Sequence, residues 1–322
     1  CARPTESAGR PEIASPQPAS TEGVVRAETF ASGLEHPWAL AFMPDGRLLV
    51  TERPGRLRIV ATDGSLSAPL TGVPVVHAVG QGGLLDVAID PDFSTNRLVY
   101  LSFAEPEGGL AGTAVARGTL GATGLENVTV IYRQRPKVSG NGHFGSRLVF
   151  AQDGKLFITQ GDRQNYRERA QDLLQGMGKF MRINADGSIP ADNPFVGRAD
   201  AQPEIWSYGH RNGQAATLDP ATGQLWTVER GARGGDELNH PEKGKNYGWP
   251  TIHHMLTKEG METPLKEWTP SIAPSGGSFY SGDKFPAWKG NYFFGALGGL
   301  RMPAEPGVVR VTVEGRKFVS AE

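Results

Sequence analysis

His143 stands in the segment NGHFGSRLVF, Asn141 to Phe150, with Gly142 before it and Gly145 two residues after it. An imidazole at the mouth of a strand titrates near neutral pH and suits a general base. The glycines allow a ligand close approach to the backbone. Asp162 ends a second strand-like segment, TQGDR. A carboxylate on the far ring nitrogen would fix the tautomer and steady the imidazolium. The plainer alternatives are a surface histidine bonded to backbone and an Asp162–Arg163 turn.

Two more segments carry chemistry-bearing residues. SYGHRNGQ, Ser207 to Gln214, presents Arg211 and Asn212 between glycines. The guanidinium fork matches carboxylates, so a site built on Arg211 prefers an anionic ligand; a surface ion pair is an equal alternative. VERGARGGDELN, Val228 to Asn239, combines Gly231, Gly234 and Gly235 with Asp236 and Glu237. Free backbone carbonyls plus carboxylates are the oxygen set that calcium prefers, although no EF-hand spacing is present. A solvated glycine-rich turn is the simpler reading of that segment alone. Tyr247 and Trp249, in KNYGWP, read as packing residues. His253 and His254 are adjacent and would point apart on a strand, which argues against a metal pair. Nucleophile-elbow, P-loop, zincin, Cys-x-x-Cys and dinucleotide fingerprints are absent.

These residues need elements to position them, and the chain supplies a repeated one. A turn of the Asp-Gly type feeds a short β-branched or aromatic run at 44–52, 94–103, 152–162, 221–231 and 288–298. The runs are anchored by Leu48, Leu98, Leu156, Leu225 and Tyr292. Such spacing fits propeller blades with their loops better than a β-sandwich. Long helical periodicity is missing; the best candidate, Glu168 to Met177, is short. The 43 glycines and 24 prolines agree with many short strands. Loops at one end of the blades should then carry the site.

Composition sets outer bounds. The chain has 322 residues, 38% hydrophobic, with a formal charge of −1. That balance argues against nucleic acid as a partner. No apolar run approaches the roughly 20 residues a membrane helix needs. The single cysteine is Cys1, as in a processed bacterial lipoprotein whose thiol carries lipid. Residues 1–23 read as a disordered tether and 24–322 as the β domain. A periplasmic or cell-envelope location is the matching expectation.

In order along the chain stand GQGGLLDVAIDPDF, GHFGSRLVF, LFITQGDR, INADGSIPADNPF, GHRN, RGGDELN, GKNYGWP and IAPSG. Together they resemble the soluble aldose sugar dehydrogenases, relatives of soluble quinoprotein glucose dehydrogenase. The resemblance implies an all-β, six-bladed β-propeller holding pyrroloquinoline quinone (PQQ) and calcium. It implies oxidation of an aldose at its anomeric carbon to a lactone. By the same resemblance His143 matches the catalytic base and Asp162 its carboxylate partner. Gln81, Arg211 and Asn212 match cofactor-pocket positions. Backbone oxygens of Gly231 and Ala232 match ligands of the active-site calcium, and Glu237 and Tyr247 a second, structural calcium site. The chain departs from the family at Arg230, where histidine is usual. Five strand signals rather than six lead to the expectation of an incomplete last blade, with residues 24–30 adding one strand and Arg301 replacing a basic contact. The competing expectation is a non-catalytic envelope binding module that has lost its cofactor. A monomer with an unidentified electron acceptor is expected.

Overall fold

The five strand signals become the second strands of five antiparallel sheets. The structure, a computed structural model, describes residues 25–232, 234–298 and 305–322. Cys1, the 1–23 tether and Arg301 lie outside the described residues. The first sheet comprises β1 (Pro37–Phe42), β2 (Leu48–Glu52) and β3 (Arg56–Val60). The second holds β4 (Leu84–Ile89), β5 (Leu98–Glu107), β6 (Leu110–Leu120) and β7 (Leu125–Arg133). The third holds β8 (Leu148–Phe150), β9 (Leu156–Thr159), β10 (Lys179–Ile183) and β11 (Ile205–Tyr208). The fourth holds β12 (Gly213–Leu218), β13 (Leu225–Glu229), β14 (Asp236–Asn239) and β15 (Lys266–Trp268). The fifth holds β16 (Pro274–Phe279), β17 (Tyr292–Ala296), β18 (Gly307–Glu314) and β19 (Lys317–Ala321).

Each sheet is a meander, so neighbours in sequence pair. The turns between first and second strands explain why. At Gly46, Gly154, Gly223 and Gly290 the backbone is left-handed, the conformation glycine adopts without penalty. In the second sheet Arg97 takes the left-handed position instead, closing the one-turn helix α1 (Phe93–Asn96). The β5–β6 hairpin turns on Gly108 and Gly109, both at positive φ, as a two-residue primed turn requires.

The second strands β2, β9 and β13 are buried along their whole length. They do not alternate because both of their faces are covered, by neighbouring sheets or, on one face of β2, by the loop residues Ala31, Leu34 and Leu66. Leu49, Leu57, Leu84, Val99 and Leu101 join the first and second sheets. Tyr100, Val115, Leu156, Ile158 and Met181 join the second and third. Trp226, Val228, Phe279, Tyr292 and Val311 join the fourth and fifth. Burying each such large side chain contributes about 1.5–3 kcal/mol. The last strand, β19, is largely exposed.

The first strands pack consecutively, β1 on β4, β4 on β8, β8 on β12 and β12 on β16. They converge on an axial cavity of about 300 Å³, lined among others by Trp38 of β1, Leu85 of β4, Gln214 of β12 and Pro274 of β16. Residues 25–34 form no strand, so the strand expected at 24–30 is not found over the described part of it. Ala31 and Leu34 instead cover Leu48, Val50 and Val60 of the first sheet. The best helical candidate, Glu168 to Met177, holds only part of a short 3₁₀ helix, Arg167–Gln171. Among the described residues no helix is long and apolar enough to cross a membrane.

Candidate active site

In an antiparallel pair the start of one strand lies beside the end of the next. Residues entering a first strand and leaving a second strand therefore gather at one end of the sheets. Gln81, His143 and Arg211 precede β4, β8 and β12, while Asp162, Gly231 and Ala232 follow β9 and β13. Gln81, His143, Arg211, Gly231 and Ala232, with Gln164, Arg230, Pro270 and Ser271, line one cavity of about 430 Å³.

His143 is 5% exposed, and its Nδ1 lies 2.6 Å from Asp162 Oδ1. Asp162, buried behind it, also accepts from the Gln164 backbone N–H at 2.8 Å and the Trp249 indole N–H at 2.9 Å. All three partners donate, so the carboxylate holds the His143 ring with its proton on Nδ1. Nε2, on the opposite edge of the ring, remains as the acceptor. Gln81 Oε1 accepts from the His143 backbone N–H at 2.8 Å.

The loop that carries His143 is conformationally costly. His143, Ser146, Arg163 and Gln164 all have left-handed φ. Such strain persists only where surroundings over-determine it. Arg163 is the chief constraint. Fully buried, it donates to the carbonyls of Gly142 at 3.0 Å, Ala111 at 2.5 Å and Gly140 at 2.5 Å, and its guanidinium lies 3.8 Å from the Phe144 ring centre. Burial pushes its pKa down to about 10. Arg163 does follow Asp162 into a turn, closed by the Gln164 N–H on Asp162, but its guanidinium turns back to clamp the loop.

Arg211 donates its backbone N–H to Glu229 Oε2 at 3.0 Å and its Nη1–H to the Arg230 carbonyl at 2.6 Å. Its guanidinium lies 5.5 Å from the Trp249 ring centre. Burial lowers its pKa from the ordinary arginine value. Behind it, buried His210 bridges Glu229 Oε1 at 2.6 Å and Ser207 Oγ at 2.8 Å, stacked against Phe180 and Tyr247. Asn212 faces the axial cavity; its Oδ1 accepts the Gly145 N–H at 3.1 Å.

The remaining expected ligands are dispersed. Glu237 lines a small cleft beside Gly231, Ala232, Arg211 and His254. Burial, and then the neighbouring Glu229 carboxylate, push its carboxyl well above the usual carboxylate range. Tyr247 lines neither the cleft nor the two cavities. Its hydroxyl donates to the His240 carbonyl at 2.7 Å and accepts from the Glu242 N–H at 3.0 Å. His254 Nδ1 meets Glu267 Oε2 at 2.9 Å, and the His253 and His254 rings do not point apart as expected: their centres are 5.2 Å from each other.

The donor sets bear on what the site can hold. Neither the 430 Å³ cavity nor the axial one is lined by an acid, whereas Arg53, Arg211 and Arg230 line them. The Nε atoms of Arg53 and Arg211 are buried without a partner among the described residues. A polyanion such as PQQ, a tricarboxylate, fits this lining. Among the described residues no group of three or more His, Cys, Asp or Glu is placed to hold a metal ion. A cation at the Gly231 turn would rely on carbonyl oxygens, and those of Gly231 and Ala232 accept no hydrogen bond among the described residues. That set fits calcium supplemented by ligand oxygens.

Sequence reading missed Arg163 as a loop clamp and Trp249 as a partner of Asp162. No local signal marks either, because their partners lie 21 to 87 positions away.

The sequence profile described as Glucose / Sorbosone dehydrogenase matches residues 34–322. The chain is 47% identical over 291 residues to aldose sugar dehydrogenase YliI of Escherichia coli K12, covering 85% of this chain and 78% of that protein. A crystal structure of a glucose dehydrogenase superposes with a TM-score of 0.87 at 49% identity, covering 92% of this chain and 88% of the other. The PQQ-bound aldose sugar dehydrogenase of Streptomyces coelicolor superposes with a TM-score of 0.79 at 29% identity, covering 92% and 83%. With a site of this geometry and a profile match over most of its length, the chain belongs to the Glucose / Sorbosone dehydrogenase family.

Proposed function

We propose that this protein oxidises aldose sugars at the anomeric carbon to lactones, as a quinoprotein using PQQ and calcium. One observation carries the reading: the His143–Asp162 pair opens on the same 430 Å³ cavity as the Gly231–Ala232 turn and Arg211. When bound, PQQ with chelated calcium supplies the acceptor for the hydrogen and two electrons that leave the anomeric carbon. The chain's own residues do the rest. His143 Nε2 takes the proton of the anomeric hydroxyl. Asp162 keeps the ring oriented and stabilises the imidazolium that results. Arg211, held by Glu229 and the Arg230 carbonyl, places positive charge where the acceptor gains electrons. Gly231 and Ala232 offer the calcium carbonyl oxygens, and Gln81 fixes the backbone of His143. The resemblance also assigns Glu237 and Tyr247 to a second, structural calcium, although Glu237 lines the cleft beside Gly231 and Tyr247 does not. The six-bladed count belongs to this proposal too. Leu40 and Phe42 in the first sheet, and Val308 and Val319 in the fifth, are exposed apolar residues that a further sheet would cover.

The test is direct. Protein incubated with PQQ and calcium reduces an artificial dye when given an aldose, and the lactone accumulates in equal amount. Failure to bind PQQ favours the binding-module alternative, and saturating PQQ binding without any dye reduction contradicts catalysis.

A further inference from the structure

The sequence repeats a Glu-Arg pair at equivalent places in two sheets. Glu52–Arg53 ends β2, and Glu229–Arg230 ends β13. In both, the glutamate is buried and accepts a backbone N–H from the loop entering its own sheet's first strand: Glu35 to Glu52, and Arg211 to Glu229. In both, the glutamate has other partners besides: Arg56 and Arg58 for Glu52, His210 for Glu229. Neither glutamate is bonded to the arginine that follows it.

Both of those arginines line the axial cavity of about 300 Å³. Arg53 Nε is buried with no partner among the described residues. No ion pair or side-chain hydrogen bond of the Arg230 guanidinium occurs among the described residues. The rest of the lining is His36, Gln81, Asn212, Gln214 and apolar or backbone surface, with no acid. Two guanidiniums facing one recess without a carboxylate make a standing positive potential there. Arg230 and Gln81 also line the 430 Å³ cavity that contains His143, so the two recesses share a wall.

The geometry points to a carboxylate subsite: Arg53 and Arg230 grip the carboxylates of the quinone cofactor from the axial side, while its reactive part lies in the His143 cavity. This rests on the quinoprotein reading above. The repeat explains its origin. The meander gives the residue after each second strand the same address, and in two sheets that residue is an arginine whose preceding glutamate is already engaged.

The experiment is a titration of the apo-protein with PQQ, followed by absorbance and by intrinsic fluorescence quenching, at fixed calcium and salt. Arg53→Gln and Arg230→Gln each weaken PQQ binding about 10-fold or more, the scale of a lost charge-assisted bidentate contact. Arg53→Lys and Arg230→Lys recover part of that loss. The trimethyl ester of PQQ, which lacks the charges, binds wild type and both glutamine variants equally. Circular dichroism melts check that the variants remain folded. Wild-type binding matched within about twofold by both glutamine variants overturns the subsite and leaves the quinoprotein reading standing. Absence of PQQ binding by wild type overturns both.

Discussion

The Trp249 indole N–H donates to Asp162 Oδ2 at 2.9 Å, the carboxylate oxygen that His143 does not use. Trp249 also lies under the Arg211 guanidinium. One side chain thus touches both the Asp162 carboxylate and the Arg211 guanidinium. Trp249→Phe keeps the ring and removes the donor. The expected result is a loss of about tenfold in kcat, from one hydrogen bond to a charged acceptor, with KM for sugar little changed. Nitrogen NMR of His143 in the apo-protein should show a less complete Nδ1–H tautomer. An unchanged tautomer and rate would remove Trp249 from the base machinery.

Arg163 makes a second prediction. Arg163→Met leaves the carbonyls of Gly140, Gly142 and Ala111 without their donor. Stranding buried acceptors costs about 3 kcal/mol or more in total. Urea unfolding should show that loss, and the left-handed backbone at His143 should relax with it. Arg163→Lys, which keeps the charge but not the fork, should recover only part of the stability. Stability equal to wild type in the methionine variant would contradict the clamp.

Much of the architecture was legible because it is local. A turn residue at left-handed φ, followed by a β-branched or aromatic run, leads into a second strand in each of the five sheets. Leu48, Leu98, Leu156, Leu225 and Tyr292 each begin such a strand or sit at its first position. His143 and Asp162 could be paired because they flank adjacent strands β8 and β9. Trp249, Arg163 and the Arg53–Arg230 recess were not legible, since each depends on partners far away in sequence, in other loops or other sheets. Trp249 read as packing, and it does stack in the site, but its donor reaches across 87 positions. Residues 24–30 misled for another reason: over their described part they form no strand, Val25 and Phe30 are exposed, and the neighbouring Ala31 and Leu34 cap the first sheet as coil.

Lys179 gives a pH dependence. Its ammonium is buried and donates to the carbonyls of Arg169, Ala170 and Met177 at 2.8–2.9 Å. Burial pushes its pKa down to about 7 from the ordinary 10.5. Between those values the unfolded chain holds a proton that the folded chain releases. Stability therefore rises with pH from about 7 toward 10.5 and gains nothing from this group below 7. Urea midpoints measured at several pH values should show a shallower rise in Lys179→Met than in wild type. Equal slopes would show that the three carbonyls keep the lysine charged throughout.

Calcium removal tests the glycine turn. A Cβ on Gly231 would collide with the carbonyl oxygens of Gly234 and Gly235. Gly231→Ala should therefore open the turn and abolish a calcium-dependent rise in melting temperature. Chelation of wild type should lower the melting temperature and weaken PQQ binding. A melting temperature insensitive to both chelator and calcium would argue against a cation there.

The central claim is that His143 Nε2 removes the sugar proton beside a bound quinone. The most direct measurement is aldose-dependent dye reduction by His143→Ala against wild type, both loaded with PQQ and calcium to the same spectroscopically measured occupancy. The account predicts a fall of about 10²–10⁴ in kcat at unchanged occupancy. Turnover by the alanine variant equal to wild type would contradict it.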